Sequence, residues 1–192
     1  MTLDHIWAGW RSAYVGSVPQ GSSGPPSNPE QGSIHGNAAG PGAGHPCVFC
    51  EIAAANGASG IGDEKALVVW RSPLCLAVLN AYPYASGHLL VMPVRHLGSL
   101  GELDKEESSE LWEATTDAVS AISSAYDPDG VNFGANLGRA AGAGLPDHLH
   151  IHVLPRWIGD TNFMTTVAGV RVMPEALQES WLKLSRAWPK RA

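Results

Sequence analysis

A chain of 192 residues with a formal net charge of −6 is long enough to bury one substantial core. Its acidic balance argues against a nucleic-acid binder, which needs a basic face, and no run is long and apolar enough to span a bilayer. Three cysteines do not build a disulfide framework. The N-terminus shows no basic-then-apolar leader, so the expected location is the cytoplasm, with neither nucleic acid nor membrane as partner.

Residues 1–15 carry Ile6, Trp7, Trp10, Tyr14 and Val15. That much apolar surface is costly in water, which predicts docking on the body of the protein or on a second subunit. Between Gly16 and Pro46, 19 of 31 residues are Gly, Pro or Ser. Such a composition cannot furnish a core, and residues 16–46 read as a flexible linker. The ordered body is expected over 47–192.

That body opens with Cys47-Val48-Phe49-Cys50. A C-x-x-C can be a redox pair, half of a zinc site or two buried thiols; no thioredoxin-like βαβ pattern surrounds it, which makes redox the weakest reading. A zinc site needs two more ligands, and His96 and His148 can complete a closed Cys₂His₂ set of the kind that suits a structural ion. Leu67 to Arg71 and Leu74 to Asn80 read as short strands around an Arg-Ser-Pro turn, with Cys75 as packing, and His88 to Val94 reads as a third strand. Asn80 at a strand end could bind ribose hydroxyls, since a carboxamide both donates and accepts, or could simply fix a turn. His88 is either a site residue or a satisfied core histidine.

One helix is clearly written. Asp104 can cap it, Glu107 stands three residues on, and Leu111, Thr115, Ala118, Val119, Ile122 and Ala125 recur at helical spacing until Asp127-Pro128-Asp129-Gly130 ends it. Val131 to Leu137 reads as a fourth strand. The loop from Gly138 to Pro146 has little side-chain bulk; its amides, among them those of Gly142 and Gly144, could cradle phosphate oxygens, or the loop could be a plain turn. Then comes His148-Leu149-His150-Ile151-His152-Val153-Leu154. Strand alternation sends the three imidazoles to one face and Leu149, Ile151 and Val153 to the other. Three histidines on one face imply phosphate chemistry, metal binding or both. Pro174 to Trp188 reads as a C-terminal helix with Leu177, Trp181 and Leu184 on one side. The whole is an α+β domain, an antiparallel sheet with one main helix and a C-terminal helix.

The stretch from His148 to Leu154 resembles the signature of the histidine triad (HIT) family, in which three histidines alternate with apolar residues, and it fits at every position. Leu79 to Tyr84, Gly87 to Val91, Asn136 to Gly138, Ala141 to Gly144, Gly159 to Met164, Trp7 to Arg11 and the Cys47/Cys50 pair are similar to the bacterial branch that holds diadenosine tetraphosphate phosphorylases and related hydrolases. The resemblance implies a HIT-like antiparallel sheet and a nucleotide hydrolase or transferase, with His150 as nucleophile and His152 neutralising phosphate oxygens. It further implies Asn80 at ribose, His88, Asn136 and the loop at the substrate, and a structural zinc on Cys47, Cys50, His96 and His148. Trp157 resembles an aromatic position near the nucleotide, with core packing as the alternative. A homodimer is the implied assembly, and whether Mg²⁺ accompanies a polyphosphate substrate is left open.

One departure concerns the acceptor. Where many members carry Gln, Ser or Thr before the triad, Ala143, Gly144 and Leu145 stand here and offer only backbone groups. Two other readings compete: a non-catalytic nucleotide sensor, and a nucleotidylyltransferase like galactose-1-phosphate uridylyltransferase. The second has His-Pro-His-Gly-Gln where this chain has Ile151 and His152.

Overall fold

The computed structural model describes residues 47–58, 64–160 and 175–190. The aromatic segment 1–15, the stretch 16–46 and the Thr161–Met164 part of the family-like pattern lie outside the described residues. Along the chain, the main elements are α1 (Val48–Ala58), β1 (Val68–Arg71), β2 (Cys75–Leu79), β3 (Leu89–Pro93), α2 (Lys105–Tyr126), β4 (Gly130–Gly134), β5 (Ile151–Arg156) and α3 (Leu177–Ala187). The five strands form one antiparallel sheet in the order β1-β2-β3-β5-β4. No helix among the described residues is long and apolar enough to cross a membrane.

Period-two alternation splits each inner strand between two cores. Cys75, Ala77, Leu79, Leu89, Val91, Leu149 and Val153 face α2 and α3, where they meet Leu111, Ala114, Ala118, Ile122 and Leu184. Leu76, Val78, Leu90 and Met92 face the other way and meet Phe49 of α1, with Ile52 and Ala53 packed alongside. The sheet is thus covered by two helices on one face and by α1 on part of the other. Helix α2 starts as its sequence requires: the Asp104 carboxylate accepts from the Glu107 N–H, and the Glu107 carboxylate accepts from the Asp104 N–H. It stops at Asp127, which takes a left-handed conformation (φ 43°) that short polar side chains tolerate.

Four boundaries differ from the sequence reading. Helix α1 was not anticipated, because its apolar residues form no single stripe. Strand β4 ends at Gly134 rather than Leu137. The histidine strand enters the sheet at Ile151 and runs to Arg156, so His148, Leu149 and His150 precede the ladder. The C-terminal helix covers Leu177–Ala187, and Trp188 follows it, stacked on Trp70 at 5.4 Å. Order in space also differs from order in the chain. The last strand, β5, inserts between β3 and β4, which leaves β4 at an edge. That insertion brings the histidines beside Leu90 of β3 and Gly134 of β4.

Candidate active site

The N-terminus of α1 delivers the two cysteines, Cys47 just before the helix and Cys50 in its first turn. The turn after β3 delivers His96, and the approach to β5 delivers His148. The sulfur of Cys47 lies 3.4 Å from Nδ1 of His148, and that of Cys50 lies 3.7 Å from the same nitrogen and 3.2 Å from Nδ1 of His96. All four candidate ligand atoms fall within 4.8 Å of one another. Tetrahedral zinc with ordinary Zn–S and Zn–N bonds separates its ligand atoms by roughly 3.3–3.8 Å, so the set is close to the geometry of such an ion. The His148 ring is oriented for it as well: Nε2–H donates to the Pro93 carbonyl (2.9 Å), leaving the lone pair on Nδ1, the atom that faces the sulfurs. Burial and the neighbouring Cys47 thiol push the Cys50 thiol up to about 11. Two crowded thiols of that kind need a cation to ionise together.

Beyond the Cys/His cluster the rings form a row. Phe49 lies edge-on to both His148 (5.4 Å) and His150 (5.3 Å), His150 is 5.0 Å from His152, and His152 is 5.1 Å from His88. Nδ1–H of His150 donates to the carbonyl of His148 at 2.8 Å. The lone pair of that ring is therefore on Nε2, which has no hydrogen-bond partner among the described residues. A second tautomer is set by a longer chain of bonds. Tyr84 N–H donates to Nδ1 of His88 (3.1 Å), so Nε2–H of His88 donates to Nδ1 of His152 (2.9 Å). His152 is left with an N–H at Nε2. The row thus pairs one ring nitrogen that can attack with one that can donate.

Burial favours the uncharged form of two of these rings, His148 and His152. Burial, with His150 as a smaller repulsive contribution, lowers His152 from 6.5 to about 4, and burial lowers His148 as well. Above pH 6.5 His152 is neutral folded or unfolded; as pH falls from 6.5 towards 4 the unfolded chain takes up the proton first, so stability is lost through that window. The urea midpoint is expected to be lower at pH 5 than at pH 7, and His152→Gln to flatten that slope. An unchanged slope in the variant would contradict the assignment.

Other anticipated residues fall in varied places. Asn80 builds the turn that its position allowed: Oδ1 accepts from the Tyr82 N–H (2.9 Å), and Nδ2 lies 3.4 Å from Nδ1 of His88. It stands beside the histidine row all the same. His88 is fully buried and reaches His152 instead of an open surface. The preceding Gly87 (φ 76°) permits this close packing, since a Cβ there would come 2.5 Å from the Tyr126 ring. Asn136 and Gly144 lie on the chain that leaves Gly134, opposite His152, and returns to His148.

Two residues anticipated at the substrate make contacts within the protein. Gly142 donates its N–H to the Arg139 carbonyl (2.9 Å), while Ala141 and Ala143 donate to Gly138, so these amides close the turn. Trp157 follows the odd-numbered, helix-facing side of β5 and its ring meets Tyr126 edge-on at 6.3 Å. Sequence reasoning missed Phe49 and Tyr84. Phe49 stands between the two cysteines, and Tyr84 lies nearly parallel to the His152 ring (5.9 Å, 15°). The only signal for either was its place beside a recognised residue.

Comparison with known proteins bears on this arrangement. The family model for the HIT domain matches residues 62–157. The AP-4-A phosphorylase of Mycobacterium tuberculosis is 45% identical over 130 residues, covering 68% of this chain and 67% of that protein. The bis(5'-adenosyl)-triphosphatase of Dictyostelium discoideum is 33% identical over 89 residues, 46% of this chain and 59% of that one. Among solved structures, a Zn-bound histidine triad family protein from Mycobacterium smegmatis superposes with a TM-score of 0.57 at 27% identity, covering 73% of this chain and 91% of that chain.

Proposed function

The chain belongs to the HIT domain family, and from that premise we propose that it cleaves dinucleoside polyphosphates by adenylyl transfer through His150, with inorganic phosphate as the acceptor. The observation that carries the reading is the His150 ring, tied by Nδ1–H to the His148 carbonyl at 2.8 Å with its lone pair on Nε2. In the first step Nε2 attacks the α-phosphorus of diadenosine tetraphosphate; a P–N bond forms, the P–O bond to the β-phosphate breaks, and ATP departs. Phosphate then attacks the nucleotidyl-histidine, the P–N bond breaks, and ADP leaves. Nε2–H of His152 holds the non-bridging oxygens in both steps, together with Asn136 and the Gly144 amide. Asn80 binds the ribose hydroxyls with the capacity its turn leaves over.

Support for phosphate as acceptor comes from the 45% identical relative and from the wall at Ala143 to Leu145, which presents no side-chain donor or acceptor of its own. In this reading Cys47, Cys50, His96 and His148 hold zinc, which fixes the approach to β5; four protein ligands leave no open position for substrate. Incubation with diadenosine tetraphosphate, with and without phosphate, tests the proposal. ADP plus ATP formed only with phosphate is the expected result. AMP plus ATP would overturn the choice of acceptor, and no product at all would favour a sensor.

The second proposal concerns assembly. Strand β4 is an edge strand, and Phe133 on it (53% exposed) meets Trp112 of α2 (61% exposed) edge-on at 5.9 Å. A strand edge with no neighbouring strand among the described residues, flanked by two exposed aromatic rings, supports pairing with a second copy. Sedimentation should report a dimer for the native chain and a monomer for Phe133→Glu. A monomeric native chain would remove this proposal and leave the chemistry untouched.

A further inference from the structure

We propose that the Arg95–Glu107 ion pair is a positioning device for the metal centre, holding the exposed turn that carries His96 so that its ring meets Cys47, Cys50 and His148. The inference rests on the zinc reading of that cluster. Three of its ligands need no such help, since Cys47 and Cys50 flank the start of α1 and His148 is buried with its ring pinned to Pro93. His96 is different. It is exposed, it follows β3 in an irregular turn, and its Nδ1 must still come to 3.2 Å from a sulfur.

The residues on either side of His96 are tied down one by one. The Arg95 guanidinium donates from Nε to Oε1 of Glu107 (2.8 Å) and from Nη2 to Oε2 (2.6 Å), and it also reaches the Glu102 carbonyl (2.5 Å). Glu107 is only 4% exposed, and the N-cap arrangement of α2 anchors it. The Leu97 carbonyl accepts from Leu149 N–H at 2.6 Å, and Gly98 N–H donates to the Glu102 carboxylate at 3.1 Å. Gly98 also lies so close to the chain before His148 that a Cβ there would come 3.1 Å from the Pro146 carbonyl oxygen. The turn is therefore held between the first turn of α2 and the approach to β5. Arg95 is the helix-side tether.

Chemistry explains why arginine fits this position. A planar fork that donates two parallel bonds to a carboxylate fixes direction as well as distance, which a lysine ammonium cannot do. The Arg95 side chain is half exposed, and the N-cap of α2 is built by Asp104 and Glu107 themselves. The pair's geometry acts on the direction in which the neighbouring His96 points.

The test uses the full chain and zinc itself, with affinity measured by competition against a chromophoric chelator and ligand geometry read from the visible spectrum of the cobalt-substituted protein. The native chain should bind one zinc with a tetrahedral cobalt spectrum. Arg95→Met, which keeps the aliphatic stem, should weaken zinc binding by roughly 10–100-fold and alter the cobalt bands, with Arg95→Lys intermediate. Glu107→Gln keeps a side chain able to cap α2 and should weaken zinc similarly, which keeps the proposal testable if one variant fails to fold. Native affinity and an unchanged spectrum in Arg95→Met would overturn the positioning role and leave the metal site standing. A native chain that binds no zinc would overturn the metal reading, and this inference with it.

Discussion

Replacing His150 with alanine is expected to abolish turnover of diadenosine tetraphosphate, by roughly four to six orders of magnitude, as removal of a covalent nucleophile does elsewhere. The fold should survive. His150 contributes one hydrogen bond to a backbone carbonyl and an edge contact with Phe49, and losing a bond of that kind costs about 1 kcal/mol. Nucleotide affinity should stay within a few-fold, because the groups proposed to hold ribose and phosphate oxygens lie elsewhere. His152→Ala makes the informative comparison. Loss of one donor to developing charge costs about 10²–10³ in rate, so this variant should be slow but measurable. Product formation by His150→Ala at anything near the native rate would dismiss the nucleophile, and equal losses in the two variants would dismiss the division of roles.

Removal of zinc should produce the second large effect, on stability. Treatment with a strong chelator, or Cys50→Ser, is expected to lower the melting temperature by about 10 °C or more, since a structural zinc contributes several kcal/mol and each shifts a domain of this size by about 2–4 °C. Activity should fall with it for a local reason. The carbonyl that orients His150 belongs to His148, itself one of the four proposed zinc ligands. Loosening His148 therefore loosens the nucleophile. Metal analysis of the purified chain alongside the melting curve checks both points; no bound zinc, or an unchanged melting temperature after chelation, would sink the prediction.

Some of this was legible from residue order. His148, His150 and His152 alternate with Leu149, Ile151 and Val153, and side-chain alternation alone puts the rings on one face and the aliphatic residues in the core. Helix α2 carried its own start, stop and buried stripe, all local features. The Cys47/Cys50 pair left redox, zinc and buried-thiol readings open, and only the fold brings it beside His96 and His148. Where residue order left a side chain's or amide's surroundings open, the missing information was not local. The Gly142 amide, expected to face an anion, bonds the Arg139 carbonyl in the folded turn. Trp157 was placed at the substrate by resemblance, and its position along β5 sends it towards Tyr126. Helix α1 shows no periodic stripe because small apolar residues run almost all round it (VFCEIAAANGA), leaving little polar contrast to the face that packs on the sheet.

What the amino-acid order determined alone was local: which rings share a face, and where the main helix begins and ends. These depend on dihedral periodicity and side-chain type, both properties of a short window. What only the tertiary structure decided was proximity. Strand β5 inserts between β3 and β4, residues distant in sequence become neighbours, and the Tyr84–His88–His152 chain of bonds and the Arg95–Glu107 tether come into being. Strand order is set by how the two cores bury their apolar faces together, a sum over the whole sheet that no single segment records.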